Sequence, residues 1–482
     1  MAEQEQNSSG VKLVRCTLTS SEKRVSIGTD MIVSFTVHES VQSPFMGASL
    51  IVADSANLLN DLPIQGGEDV EIQLKHTFDD APVVYKFKIY KIAGRFVKNK
   101  TQIYNLGLIS SEALLNETIR VQQALKGNPE AIIKKLLGNE YLDSTKTFYS
   151  EPSRFEVSMI ANRRRPFDII SKLLTKSVSP KTQYGLSKND NKNKSEQQVK
   201  GSAGFFFWET IRGYNFFSID ALCDVPELDE KGNIIEGSQK FSAPRLTSES
   251  WGPYKEGIAN QDAVADQRFL IENIAFSSEV DLMQSLRKGK YSSLMVFYNY
   301  STGQYEEYVY KVKDSYDNMA HLGGQESISL IPTNQIELSD YPSRIMSVLL
   351  DHESWYNDPG IANPEDPKAK DPTKFADWQK YYAAQSTARA ELLKNQEAVV
   401  QIPGNPQICA GDKITLILVS KLSDALRAKE PIDKESSGIY LINEATHTFN
   451  FLEGANGTVK TTLRLFRDSY GLSDGSSNRG TK

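Results

Sequence analysis

Two stretches far apart in this chain carry one pattern: a glycine turn, an acid, then alternating apolar and polar residues. Near the start it is Gly66-Gly67-Glu68-Asp69-Val70-Glu71-Ile72-Gln73-Leu74, and near the end Ala410-Gly411-Asp412-Lys413-Ile414-Thr415-Leu416. Each reads as a turn feeding a half-buried strand. Each is followed by an apolar strand (Phe87, Ile89, Tyr90, Ile92; Ile439, Tyr440, Leu441, Ile442) and then by an alternating strand (Ile103, Tyr104, Leu106, Leu108; Leu463, Leu465, Phe466). A small barrel built twice satisfies both copies. Three subunits that each carry two like barrels offer six similar positions around an axis.

The pattern predicts an α+β, β-rich fold: two similar small β-barrels with α/β insertion domains. At 482 residues the chain has room for about three domains, each with its own core. The first barrel is expected over 1–112, with strands at Met31–Val37, Gly47–Val52, Asp69 onward, Pro82–Arg95 and up to Leu108. Between the second and third of these, Asp54 reads as the cap of a short helix that stops before Pro63. An α/β insertion follows over 113–203. In it Asn128-Pro129 and Pro166 each start a helix with an apolar stripe, and Arg154–Ile160 alternates as a strand between them. The run Lys181–Ser202 is too polar to bury a core and reads as an exposed loop. The two aromatic runs Gly204–Thr210 and Gly213–Ile219 form a hairpin signal. This hairpin is assigned to the second barrel, as 204–222 plus 397–470. An inserted α+β domain takes 223–396, with strands at Phe269–Ile274 and Leu294–Tyr298, a hairpin from Tyr298 to Lys313 turning at Thr302-Gly303, a Pro-rich loop over 357–372 and a helix to Asn395. The tail 471–482 is expected to be disordered.

Chemistry is sparse. The 55 basic and 61 acidic residues leave a net charge of -6, so no global field holds nucleic acid. No apolar run approaches membrane-spanning length, and the N-terminal ten residues lack a signal peptide's basic and apolar regions. The expectation is folding in the cytosol without membrane insertion. Cys16, Cys223 and Cys409 are too few and scattered for a disulfide framework and read as buried thiols. His38, His76, His321, His352 and His447 show no metal-binding spacing, and no phosphate loop or nucleophile elbow occurs. The reading is a protein that is not an enzyme and uses no cofactor or metal. Arg163-Arg164-Arg165, just before the Pro166 helix, is a candidate anchor for an acidic partner, against a simple solvated turn. Phe45 and Asn405 are candidate contacts to a neighbouring subunit or partner, against plain turn geometry. The run Phe205–Trp208 is either a ligand platform or, as aromatic bulk favours, a buried seam.

Three segments together resemble the baseplate hub protein of contractile-tailed (myovirus) phages, related to the hub part of type VI secretion spike proteins. They are Phe35–Pro44 through Asn57–Ile64 to Glu68-Asp69-Val70; Arg165–Ile170 with the Gly204–Asp220 hairpin; and Ile402–Pro406 leading to Ala410-Gly411-Asp412 and Ser437–Ile442. The resemblance implies Tudor-like barrels and a homotrimer with pseudo-sixfold symmetry. It also implies a central spike trimer below, hexameric tail tube proteins above, contacts to tape measure protein and baseplate wedges, and a channel for DNA without sequence-specific recognition. The location implied is the virion tail, with assembly in the bacterial cytoplasm. A tail-associated cell-wall hydrolase and a host-binding adhesin are the alternatives.

Overall fold

The computed structural model describes residues 9–472 except 22, 63, 99–100, 154–155, 180–202, 226–249, 258–266, 279–280, 300–303, 317–318, 325–329, 332–335, 351–372, 422, 424–428 and 452–455. The expected loops at 181–202 and 357–372, the turn at Thr302-Gly303 and the tail from 473 onward lie outside the described residues. The chain is β-rich, 50% strand and 16% helix, and is organised on one large sheet.

Its first part is strand after strand: β1 Gly10–Thr19, β2 Arg24–Ser26, β3 Ile32–Ser40, β4 Gly47–Asp54, β5 Asp69–His76, β6 Val83–Lys98 and β7 Thr101–Ile109, with one helical turn, α1 Leu58–Asp61. Strict alternation buries one face of β4 and β5, placing Leu50, Val52, Val70 and Ile72 against Phe35, Phe87 and Leu106. Asp54 does not cap α1 as expected. Asn57, in the left-handed region, holds the cap position without a side-chain bond, while Asp54 accepts the Ala56 N–H at 3.0 Å and lies buried beside the Tyr104 hydroxyl.

The insertion comprises α2 Ser111–Thr118, β8 Val121–Gly127, α3 Pro129–Leu137, β9 Phe148–Ser150, β10 Val157–Arg164, α4 Pro166–Leu174, β11 Phe205–Thr210, β12 Gly213–Ser218 and α5 Ile219–Cys223. Both α3 and α4 begin at the predicted prolines, where a missing N–H costs nothing. The aromatic hairpin β11–β12, assigned from sequence to a second barrel, does not join the large sheet. Its β12 pairs in parallel with β9; Phe205, Phe207, Tyr214 and Phe216 share the core of α3 and α4, while Trp208 and Phe217 pack with Ala410, Leu441 and Phe466. Two aromatic faces need covering on both sides, and a barrel wall covers only one.

The remaining strands are β13 Ser250–Lys255, β14 Asn273–Ser278, β15 Ser292–Asn299, β16 Gln304–Lys311, β17 Leu330–Ile331, β18 Ile336–Glu337, β19 Arg344–Leu350, β20 Gln396–Pro403, β21 Lys413–Ile417, β22 Gly438–Asn450 and β23 Asn456–Arg467. A long helix, Thr373–Leu393, precedes β20 and packs Ala384, Ala388 and Leu392 against the β15–β16 unit. The strand expected at Phe269–Ile274 begins later, at Asn273; Leu270 makes only an isolated bridge to Lys255.

The repeat read from the glycine turns extends to the pairing of five strands. Gly67 (φ +93°) donates to the Ile89 carbonyl at 2.7 Å and Ile89 returns a bond to Glu68 at 3.0 Å; Gly411 (φ +90°) donates to Ile442 at 2.8 Å and Ile442 returns one to Asp412 at 2.9 Å. Val70 lies opposite Phe87 as Ile414 lies opposite Tyr440. The register then slips just after Ile89 in one copy and just after Ile442 in the other. Leu50 faces Leu106 as Val400 faces Leu463, and Phe35 faces Leu50 as Ile274 faces Val400. Strands β3, β4, β5, β6 and β7 thus correspond to β14, β20, β21, β22 and β23. The copies part at one neighbour: β1 runs antiparallel to β5, whereas β13 runs parallel to β21.

The copies are not separate. Past its slip, β22 pairs with β3 from Glu444↔Ser40 to Asn450↔Ser34, and the start of β23 pairs with β1. Pairing therefore runs β3–β4–β7–β6–β5–β1–β23–β22 and returns to β3. Phe449, Phe451 and Val459 enter the first core, while Tyr440, Ile442, Leu463 and Leu465 on the same two strands enter the second.

Candidate functional site: an assembly surface

The two copies and the insertion are locked by buried charge. Glu39, at the end of β3, accepts the Ile211 N–H at 2.9 Å and the Ala410 N–H at 3.1 Å, joining copy one, the hairpin tip and the second glycine turn. Its burial pushes the carboxyl up to about 7 against the pull of those two donors. Arg212 forks onto both oxygens of Asp412 at 2.9 Å, and the Trp251 indole donates to the same carboxylate at 2.8 Å. Trp208 donates to the Ala410 carbonyl at 2.8 Å, so the aromatic run is a buried seam and its indole packs beside Gly411. Lys146 bridges Glu112 at 2.6 Å and Glu209 at 2.5 Å, and Glu209 also receives the Met46 N–H.

A second lock lies at the base of the long helix. Arg389, fully buried, donates to Asp220 and to Asp468, each at 2.8 Å, and to the Ala320 carbonyl. Burial works against the charge on Asp468, but Arg389, His321 and the Leu322 N–H outweigh it and hold the carboxyl well below the usual range. Burial dominates at Asp220 and raises it. These carboxylates make bonds that brace the chain. Among the described residues no group of His, Cys, Asp and Glu could hold a metal, and no helix is long and apolar enough to cross a membrane. All three cysteines are buried and unpaired to one another.

The residues singled out from sequence are scattered. Phe45 is half-buried and stacks on Phe167 at 6.4 Å between ring centroids, docking the first copy onto α4. Asn405 accepts the Gln407 N–H on its side-chain oxygen and donates its own backbone N–H to the Thr461 hydroxyl oxygen, so it shapes the β20–β21 turn. Arg163 is the bulged residue of β10, in the left-handed region at φ 49°. Arg165 pairs with Glu117 at 2.8 Å, and all three arginines lie on the same strand end as Ile160, which is 79% exposed. Phe45 meets Phe167 two residues past Arg165, whereas Asn405 sits in the β20–β21 turn.

One surface escaped the sequence reading. Strand β6 is longer than the strand expected at Pro82–Arg95, and near its end Phe96 is 61% and Val97 58% exposed. Phe96 lies opposite Ile103, itself partly exposed, and shares its face, while Val97 points to the other. Exposed large apolar side chains at one end of a strand pair are a candidate contact surface. The signal available in the sequence was Phe96-Val97 beyond the glycine at 94, in a strand with no further polar alternation.

No family model matches the chain, and no curated protein matches it by sequence. Comparison with solved structures finds tail and secretion proteins similar over most of its length. It is similar to the tail protein from Neisseria meningitidis MC58 (12% identity, 95% of this chain and 97% of that one, TM-score 0.47). It is similar to the 43 kDa tail protein of prophage MuSo2 from Shewanella oneidensis (7% identity, 95% and 99%, TM-score 0.48). It is also similar to the E. coli c3393 protein, a type VI secretion component described as structurally similar to T4 bacteriophage tail proteins gp27 and gp5 (10% identity, 96% and 78%, TM-score 0.38).

Proposed function

We propose that this chain is the structural hub of a contractile phage-tail baseplate. Three copies form a ring in which each five-strand repeat, folded as a small Tudor-like barrel, takes one of six near-equivalent positions. The six positions meet a hexameric tail tube, and the insertions, present once per chain, mark three positions that seat a trimeric spike. The ring's opening is the channel for DNA, with no base-specific contact. Tape measure protein and baseplate wedges are further neighbours, and Arg163, Arg164 and Arg165 present a basic corner to one of them. The location proposed is the virion tail, after assembly in the bacterial cytoplasm.

The observation that carries this reading is the repeat: two copies with one pairing register, one glycine turn and one slip position, joined by strand pairing. Symmetry adaptation requires such likeness, because one partner must meet both copies. Native mass and negative-stain imaging of the purified chain test it. A three-membered ring with a central opening is expected, alone or with a spike trimer added. A monomer under both conditions overturns the reading, and release of fragments from peptidoglycan by the pure chain would favour a hydrolase instead.

A further inference from the structure

A small cavity of about 50 Å³ opens between the end of β14, the short helix Leu282–Arg287, the turn before β15 and the start of β20. Two buried side chains line it next to one another. The Lys290 ammonium, 3% exposed, donates to the Asn395 carboxamide oxygen at 2.7 Å and lies 5.4 Å from the centre of the Tyr291 ring. An ammonium has three protons to give and a carboxamide nitrogen two. Asn395, 8% exposed, uses neither of its own: its Nδ2 is buried and has no hydrogen-bond partner among the described residues. A buried donor left without an acceptor is costly, and folded chains keep few of them. Lys288 and Lys394, each about one-third exposed, line the cavity where it meets solvent and share Glu391, at 3.4 and 3.2 Å. Asp281 accepts the Gln284 N–H at 2.8 Å, and Glu397 is the third carboxylate of the lining.

We infer that this cavity is a binding site for a single carboxylate group, held between the Lys290 ammonium and the Asn395 Nδ2. The unspent hydrogen-bonding atoms of the buried pair are all donors, so the guest must be an acceptor. Burial pulls the Lys290 ammonium down to about 8 against the pull of Glu391 and Asp468, so this cation is short of negative charge and an anion beside it restores the balance. Size limits the anion. Roughly 10–15 Å³ of such space takes one water-sized group, so the cavity fits the few heavy atoms of a carboxyl group and the carbon that bears it. Charge limits it too: three lysines face three carboxylates, and a dianion such as phosphate would meet as much negative charge as positive. A free small acid and an acidic side chain of a neighbouring protein present the same carboxylate. The site needs nothing from the ring reading and stands or falls apart from it.

The test is titration of the full chain at pH 7 with sodium acetate, against sodium chloride at matched ionic strength, read by melting temperature and by saturation-transfer NMR of the acetate methyl. Acetate is expected to saturate with half-effect on the order of 1–10 mM and to raise the melting temperature where chloride does not. Asn395→Asp keeps an oxygen for Lys290 and puts a carboxylate where the idle donor was, so it fills the site from within and is compatible with folding. It is expected to weaken acetate binding on the order of tenfold or more while melting no lower than wild type in chloride. Lys290→Met, which keeps the stem and removes the charge, is expected to lose acetate to the same extent. A blocked peptide with one glutamate, run beside its glutamine counterpart, tells the sources apart. A response to the glutamate peptide alone of the two assigns the site to an acidic side chain of a neighbouring protein, and a response to acetate without one to the peptide assigns it to free small acids. Acetate acting no differently from chloride, or equally on wild type and both variants, leaves a cavity for water alone and overturns the proposal.

Discussion

Gly67 and Gly411 occupy the same backbone conformation in different surroundings, so one substitution made at each separates conformation from packing. Alanine at either site must adopt φ near +90°, at a cost of about 1.5 kcal/mol. At Gly67 nothing lies within 4 Å of the added methyl, so that is the whole penalty. At Gly411 the methyl would sit 2.4 Å from Cζ2 of Trp208. Trp208 is buried and its indole N–H is committed to Ala410, so it cannot step aside. Overpacking of this kind adds about 2 kcal/mol. With a tenfold change per 1.4 kcal/mol, Gly67→Ala should speed amide exchange in β5 and β6 roughly tenfold, and Gly411→Ala should speed it in β21 and β22 roughly 300-fold. Hydrogen exchange read by mass spectrometry resolves the two regions. Equal acceleration at both sites, or a larger effect at Gly67, would refute the equivalence of the turns or the rigidity of the Trp208 seam.

Two further predictions concern the buried locks. Arg389→Met removes the shared partner of Asp220 and Asp468 and should cost about 3–5 kcal/mol in urea titration, part of it recovered when Asp468→Asn is added; a neutral single variant would contradict the assignment. Glu39 has its folded-state carboxyl raised above the ordinary 4.5 to about 7, so the folded chain keeps a proton that the unfolded chain has lost. Stability from this group is therefore highest below pH 4.5 and falls by about 3 kcal/mol as pH rises to about 7. His447, lowered by burial to about 4, contributes in the opposite direction, so the measurement is the difference in unfolding free energy between wild type and Glu39→Gln across that range. A difference that stays flat with pH would disprove the burial of an uncompensated acid there.

The parts of the fold written locally were legible. Gly67 and Gly411 announce a positive φ before an acid, and Pro129 and Pro166 announce helix starts; all four stand where sequence put them. What stayed hidden depends on distant pairing. Ile274 and Val400 are neighbours across a strand pair yet lie on either side of a long insertion, and no local period links them. Alternation along β22 shows which residues are buried but not that Ile442 and Phe449 enter different cores. The aromatic hairpin was recognised as a hairpin, but its partner β9 is three residues long and carries no strand signature. Arg389 and Glu39 look like ordinary surface charges until their partners, far along the chain, are placed around them. Of the candidate contact residues, Phe45 was found for its apolar ring in a turn and serves inside the chain, whereas Phe96 and Val97 were passed over because a strand's end is not visible in its composition.

The hairpin β22–β23 is a stave in two vessels at once: its outer halves complete the first core and its inner halves the second. Neither vessel can be lifted out whole, because among the described residues the two share the backbone of one strand pair. A push along the axis would travel through strand backbone from one half to the other, as through a single welded plate.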